Sequence, residues 1–153
     1  MILIKNTQRI YPINTKKVTS IVQKILDDLG YADFDIGIWF TTNKTIARYN
    51  QAYRRKTGPT DILSFPYWPT LKAGQKIIAK NKDEANLGDI IISLEYIESS
   101  AQWQSVAHEE RLPRLLVHGI CHLLGYDHET DADYKIMHKK ERELLKLVLY
   151  TRE

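Results

Sequence analysis

His118, His122 and His128 place three of the chain's five histidines within eleven residues, in the run His-Gly-Ile-Cys-His-Leu-Leu-Gly-Tyr-Asp-His. His118 and His122 are four apart. At 3.6 residues per helical turn they lie roughly 40° from each other, one turn apart on the same face. Gly125 follows, and glycine is the residue that most readily ends a helix in a left-handed conformation. Such a reversal swings His128 back towards the other two imidazoles. The product is a three-nitrogen site with at least one coordination position open. Three protein ligands plus water is the pattern of catalytic zinc, whereas structural zinc is closed by four ligands, usually including cysteines.

One histidine on an apolar helix is ordinarily a satisfied core residue. Three of them, spaced four and then six apart with a glycine between the last two, do not fit that explanation. The spacing is also similar to that of the metzincin proteases, which carry Glu directly after the first histidine as general base. Here that position is Gly119, which cannot move a proton. Gly inside a helix costs about 1 kcal/mol relative to Ala, so Gly119 points to close packing or close substrate approach. Peptide hydrolysis by that mechanism is disfavoured.

The elements that must hold these residues fit in a chain of 153 residues, an ordinary single-domain length. Such a chain buries about 70% of its unfolded surface. Hydrophobic residues at 43% and charged residues at 27% describe a globular protein. The net charge of +3 is a mild lean towards polyanions and decides nothing alone. The single cysteine, Cys121, excludes an internal disulfide and fits a reducing compartment. No apolar run is long enough for a signal peptide or a bilayer span, so a cytoplasmic protein without membrane contact is expected.

Residues 15 to 29 read as an amphipathic helix, with Val18, Ile21, Val22, Ile25 and Leu29 at helical spacing and Gly30 as its stop. Asp35 to Thr41 alternates as a strand with Ile36, Ile38 and Phe40 inward, and a helix follows from about Asn43 to Ala52. Asp61 to Phe65 is a short strand closed by Pro66. Residues 67 to 86 lack a sustained period and read as a loop, with Lys76 to Ala79 a candidate edge strand. Leu87 to Ser93 is a buried strand, and Ser93 caps a helix running to about Ala101. The histidine helix is expected to start near Glu109 to Leu112, because Pro113 is tolerated only in a first turn. Thr130-x-x-Asp133 resembles a capping box, opening a last helix whose apolar stripe is Met137, Leu144, Leu145 and Val148. The expectation is one α+β domain over residues 1–153, a small mixed sheet packed by several helices, with a zincin-like His-x3-His helix near the C-terminus.

A zinc ion lowers the pKa of its bound water to about 7. The substrate must be read from other residues. Arg48 and Arg54-Arg55-Lys56 form a basic cluster, and a guanidinium pairs well with phosphate oxygens. Taken alone, the cluster is better explained as a solvated loop beside a helix end. Ser64 and Asp61 are placed to orient a substrate, although strand-end capping explains both more simply. Asp127 either holds a ligand imidazole in its tautomer or shapes the turn. Cys121 borders the ligand face and reads as a small buried hydrophobe. His108 and His138 have no partners at ligand spacing.

His118 to His128 resembles the His-Gly-x-x-His-Leu-x-Gly-Tyr-Asp-His signature of the YbeY endoribonucleases, also called rRNA maturation factors. Asn50-x-x-Tyr53-Arg54 and Pro59-Thr60-Asp61-Ile62-Leu63-Ser64-Phe65-Pro66 are similar to that family's central motif. Leu87-Gly88-Asp89-Ile90 with Ser93 resembles its following strand, so that the likeness spans about residues 46 to 135. It implies a metal-dependent, single-strand-preferring endoribonuclease acting in 3′-end maturation of small-subunit (16S) rRNA and in ribosome quality control. It further implies one zinc per chain on His118, His122 and His128, with an important arginine at Arg54. On this reading Arg54 neutralises charge on the phosphoryl group, Arg54, Arg55 and Ser64 contact the substrate, and Asp127 supports the ligands. The implied partners are single-stranded RNA and the small ribosomal subunit or its proteins. The family usually has Leu where this chain has Cys121, so a thiol is a further candidate ligand or oxidation site. No second general acid or base is visible, and attack by water or by the substrate's own 2′-hydroxyl both fit. The alternative function is a ribosome-assembly factor that binds rRNA or ribosomal protein, its metal mainly structural.

Overall fold

Alternation in Asp35–Thr41 and short apolar runs elsewhere lay down a sheet of four strands among the described residues, which are 1–149 of this computed structural model. The last four residues of the expected 1–153 domain lie outside the described residues. The strands are β1 (Ile2–Asn6), β2 (Asp35–Thr41), β3 (Ile62–Pro66) and β4 (Asn86–Ser93). Their spatial order is β1-β2-β4-β3, with β1, β2 and β4 parallel and β3 antiparallel to β4. The α+β mixed sheet expected from sequence is therefore present. One strand is added to the expectation: β1 occupies an edge, and with Leu3 exposed and only Ile2 and Ile4 partly buried its pattern is too short to stand out.

Six helices are described: α1 (Thr15–Leu29), α2 (Asn43–Arg54), α3 (Leu94–Ser99), α4 (Ala101–Gln104), α5 (His108–Leu123) and α6 (Asp131–Leu149). Helix α1 opens on Asn14, whose side chain accepts from the Lys17 N–H at 3.0 Å, and stops at Gly30 as expected. Its stripe Val18, Ile21, Val22 and Ile25 is buried with Ile36, Ile38, Phe40, Ile90 and Ile92 of the sheet and Leu115, Leu116 and Ile120 of α5. Helix α2 shields the other sheet face with a smaller cluster of Ile46, Leu63 and Ile91. No helix among the described residues is long and apolar enough to cross a membrane.

Three local expectations are corrected. The helix after Ser93 is not continuous to Ala101 but breaks at Ser100, whose extended backbone separates α3 from α4. Ile77 is buried, yet Lys76 to Ala79 forms no strand; the Ile77 N–H donates to the Tyr31 hydroxyl at 3.0 Å rather than to a sheet. Helix α5 begins at His108, one position before the expected start region, so Pro113 lies past its first turn. The ring removes the N–H that would reach the Glu109 carbonyl, and Glu109 is exposed, where water can take that place.

Candidate metal centre

Helix α5 brings His118 and His122 to one face, as their spacing predicts, and its end brings His128 to them. The Gly125 N–H donates to the His122 carbonyl and the Tyr126 N–H to the Cys121 carbonyl, both at 3.1 Å. This paired closure requires a left-handed residue, and Gly125 takes it with φ +90°. The three imidazoles then converge, with ring centres 4.6 Å (His118–His122), 5.3 Å (His122–His128) and 5.8 Å (His118–His128) apart. One nitrogen from each lies within 4.8 Å of the others, the one such cluster of His, Cys, Asp or Glu among the described residues.

Hydrogen bonding fixes the tautomers. His122 Nδ1 is 2.9 Å from the Tyr126 carbonyl, which only accepts, so Nδ1 carries the hydrogen and Nε2 the lone pair. His118 Nδ1 is 2.9 Å from a Glu141 carboxylate oxygen, which also only accepts, so Nδ1 carries a hydrogen here too and the neutral ring has its lone pair on Nε2. The two Nε2 atoms face each other at 3.1 Å. Two lone pairs pointed together repel, and a cation between them removes the conflict. For a tetrahedral ion with metal–nitrogen bonds of about 2.1 Å the two nitrogens stand about 3.4 Å apart, close to what is seen. Burial, with the neighbouring His118 and His128 charges adding to it, pushes the His122 pKa down to about 4, so this ligand is neutral across the ordinary pH range. The residues fit a metal.

Gly119 lies beneath this face. A Cβ there would stand 2.7 Å from Ile62 Cδ1 and 2.9 Å from Ile90 Cδ1, so the glycine lets α5 press onto β3 and β4. Close packing is thus the reason for it. Cys121 is fully buried in the core, and burial raises its pKa to about 12; it stays a thiol outside the cluster, as a small hydrophobe. His108 pairs with Glu98 at 3.1 Å, and His138 stacks on Tyr134 and lines a neighbouring cavity with His118 and Glu141; neither belongs to the histidine cluster.

The histidines open into a cleft of about 620 Å³ lined also by Arg54, Thr60, Asp61, Ser64, Asp127 and Glu129. Arg54 is the last residue of α2, while Arg55 turns left-handed (φ 56°) and does not line the cleft. Asn50 braces the following loop, its Nδ2 donating to the Gly58 carbonyl at 2.9 Å. Ser64 Oγ points at the Gly119 carbonyl, 3.4 Å away. Asp61 accepts from Trp103 Nε1 at 3.0 Å, and Asp127 accepts from the Glu129 N–H at 3.3 Å, the turn geometry. A more apolar groove of about 650 Å³ between Trp39, Tyr49, Tyr53 and Phe65 holds none of the histidines. The chemistry therefore belongs to the cleft.

Sequence reading overlooked Glu141 and Glu129. Glu141 had a signal: it sits four after Met137 and three before Leu144, a carboxylate on the apolar stripe of α6. The family model described as Endoribonuclease YbeY matches residues 3–148. The chain belongs to the YbeY endoribonuclease family. An Endoribonuclease YbeY of Homo sapiens is 38% identical over 144 residues, covering 94% of this chain and 86% of that protein. One from Geobacter metallireducens is 36% identical over 149 residues, with 96% and 95% covered. One from Sulfurihydrogenibium is 42% identical over 126 residues, with 82% and 77% covered. A solution structure from Thermotoga maritima shares the fold, with a TM-score of 0.61, 24% identity, and 97% of this chain and 89% of that one covered. YbeY membership makes the chain an endoribonuclease, a nuclease that acts on RNA.

Proposed function

We propose that this endoribonuclease is zinc-dependent, holds one zinc per chain on His118, His122 and His128, and cuts single-stranded RNA in maturation of the 3′ end of small-subunit (16S) rRNA and in ribosome quality control. It works in the cytoplasm, on rRNA within or beside the small ribosomal subunit. The observation that carries the reading is the pair of Nε2 atoms of His118 and His122 facing each other at 3.1 Å in a cleft shared with Arg54. Zinc held there would supply Lewis-acid polarisation of the phosphate and acidify water. Glu141 and the Tyr126 carbonyl accept the Nδ1 hydrogens of His118 and His122 and so aim the two Nε2 atoms at the cluster. Arg54 binds the scissile phosphate and offsets the charge that grows on it. Ser64 helps seat the strand in the cleft, which Arg55 does not line, and Asp127 fixes the turn that carries His128.

Arg54→Lys tests this directly. It keeps the charge and loses the two-pronged contact, so cleavage of single-stranded RNA should fall roughly a hundredfold while zinc content and melting temperature hold. A variant that loses zinc or unfolds would make Arg54 a structural residue. Equal cleavage of matched single-stranded and duplex RNA would refute the strand preference, which rests on a flexible strand presenting one phosphate where an A-form helix cannot.

A further inference from the structure

Strand β3 is the edge of the sheet on the side of the metal centre. The Ser93 N–H donates to the Asp61 carbonyl at 3.0 Å and the Tyr67 N–H to the Leu87 carbonyl at 3.1 Å. In an antiparallel pair the bonded positions alternate, so Asp61, Leu63, Phe65 and Tyr67 turn their backbone groups to β4. Ile62 and Ser64 consequently point N–H and C=O away from the sheet, and no bond to these four groups is found among the described residues. Ile62 and Leu63 point to opposite faces, yet both line the histidine cleft. The cleft is therefore bounded by the strand's edge, not by one of its faces.

We propose that this free edge seats the sugar-phosphate backbone of the RNA strand. The Ile62 and Ser64 N–H groups donate to phosphate oxygens, and their carbonyls accept from the 2′-hydroxyls of nucleotides flanking the scissile linkage. The inference rests on the endoribonuclease reading and deepens it. An edge residue offers one donor and one acceptor, and a nucleotide of RNA offers the complementary pair: an acceptor-only phosphate and a 2′-hydroxyl able to donate. The two residues repeat at about 6.8 Å, within reach of successive nucleotides of an extended strand. DNA would leave the carbonyls unanswered, so the edge discriminates sugar without reading sequence. An extended peptide is the other occupant that pairs with a strand edge. It is less suited here, because Pro66 has no N–H to continue the ladder and Arg54 stands in the same cleft.

Amide NMR of the zinc-loaded protein with a short single-stranded oligoribonucleotide tests the seat. Ile62 and Ser64 amides should shift and gain exchange protection while Leu63, held in the ladder, does not; the matching oligodeoxyribonucleotide should produce weaker shifts. In cleavage assays, a single 2′-deoxy or methylphosphonate substitution at a flanking nucleotide should raise KM about tenfold, the weight of one hydrogen bond to a charged or buried group. Ser64→Pro deletes an outward donor without touching the ladder, and should abolish the penalty at one methylphosphonate position. RNA cleaved with no penalty at any flanking substitution would overturn the edge seat and leave the endoribonuclease reading intact. No cleavage of any RNA would overturn the underlying reading. Ile62 and Ser64 amides that respond to an extended peptide and not to RNA would give the edge to peptide. The amide shifts and the substrate modifications both use the unaltered protein, so a Ser64→Pro chain that fails to fold does not remove the test.

Discussion

Replacing Gly125 by Ala attacks the fold and the metal centre at one point. The residue sits at φ +90°, where an alanine is disfavoured by about 1–2 kcal/mol. Its new Cβ would stand 2.2 Å from the Leu71 oxygen, 2.8 Å from the Leu71 carbonyl carbon and 3.0 Å from that of Lys72. These are backbone atoms of another segment, which cannot rotate away, and overpacking of this kind costs about 1–3 kcal/mol. The sum is about 2–5 kcal/mol, which for a chain of this size lowers the melting temperature by about 5–15 °C. Relief requires either the 67–86 loop or the turn to move. If the turn moves, the Tyr126 carbonyl leaves His122 Nδ1 and His128 leaves the cluster, so zinc affinity falls together with stability. Thermal unfolding of metal-free protein and zinc competition against a chromophoric chelator measure the two effects separately. Gly119→Ala is the control: its Cβ crowds the tips of Ile62 and Ile90, which can turn, touches Ser64 Oγ at an ordinary 3.4 Å, and it gains about 1 kcal/mol of helix propensity. Its net effect should stay within about 1 kcal/mol. A Gly125→Ala protein with wild-type melting temperature and zinc affinity would refute the reasoning, because the strain would then have been absorbed without displacing the site.

His122→Ala should remove most bound zinc, since it deletes one of three nitrogens; elemental analysis showing about one zinc per chain in the variant would contradict the ligand set. Glu141→Ala should weaken zinc binding roughly ten- to a hundredfold, with Glu141→Gln closer to wild type because an acceptor for His118 Nδ1 remains. ¹⁵N shifts of His118 should show the Nδ1–H tautomer in the wild type and a mixture in the alanine variant. For pH, the metal-free unfolded chain takes a proton on His122 near 6.5 whereas the folded chain does so only near 4. The unfolded state binds more protons in that window, so stability must fall as pH drops from about 6.5 towards 4. Urea midpoints should show this loss, and His122→Asn should diminish it.

The three-histidine cluster was legible because its geometry is nearly all local. His118 and His122 share a helix face by periodicity, and Gly125 is the residue a left-handed closure demands. Strand β2 and helix α1 were legible for the same reason, a clean period over seven or more residues, while β4 showed as a short apolar run, Ile90 to Ile92, ahead of the capping Ser93. What escaped depends on distant partners. β1 is a strand because β2 lies beside it, and Pro113 sits past a first turn because tertiary packing on α5 outweighs the one bond its ring removes. Asp127 was open between two roles, and its acceptance from the Glu129 N–H gives the turn. The partner it was weighed against, a carboxylate on an imidazole, exists but arrives from α6 as Glu141. Thirteen residues separate Asp127 from it on the far side of a helix cap, and no local period joins Glu141 to His118.

That long-range carboxylate makes α6 part of the candidate metal centre. Helix α6 packs on α5 through Met137 and Leu144, which bracket Glu141 on one stripe. Any motion that lifts α6 therefore removes the acceptor from His118 Nδ1, and the imidazole is free to put its hydrogen on Nε2, where it blocks a metal. Conversely, a cation between the facing Nε2 atoms holds His118 in the tautomer that Glu141 accepts from, and so draws α6 down. Metal affinity and α6 docking are then one equilibrium seen from two ends, since whatever binds only the native arrangement stabilises it. Zinc should accordingly protect the amides of α6 from hydrogen exchange, although none of the three histidines is on that helix. Exchange in α6 unchanged between zinc-loaded and zinc-free protein would show that Glu141 follows His118 passively and that the helix is held by its apolar stripe alone.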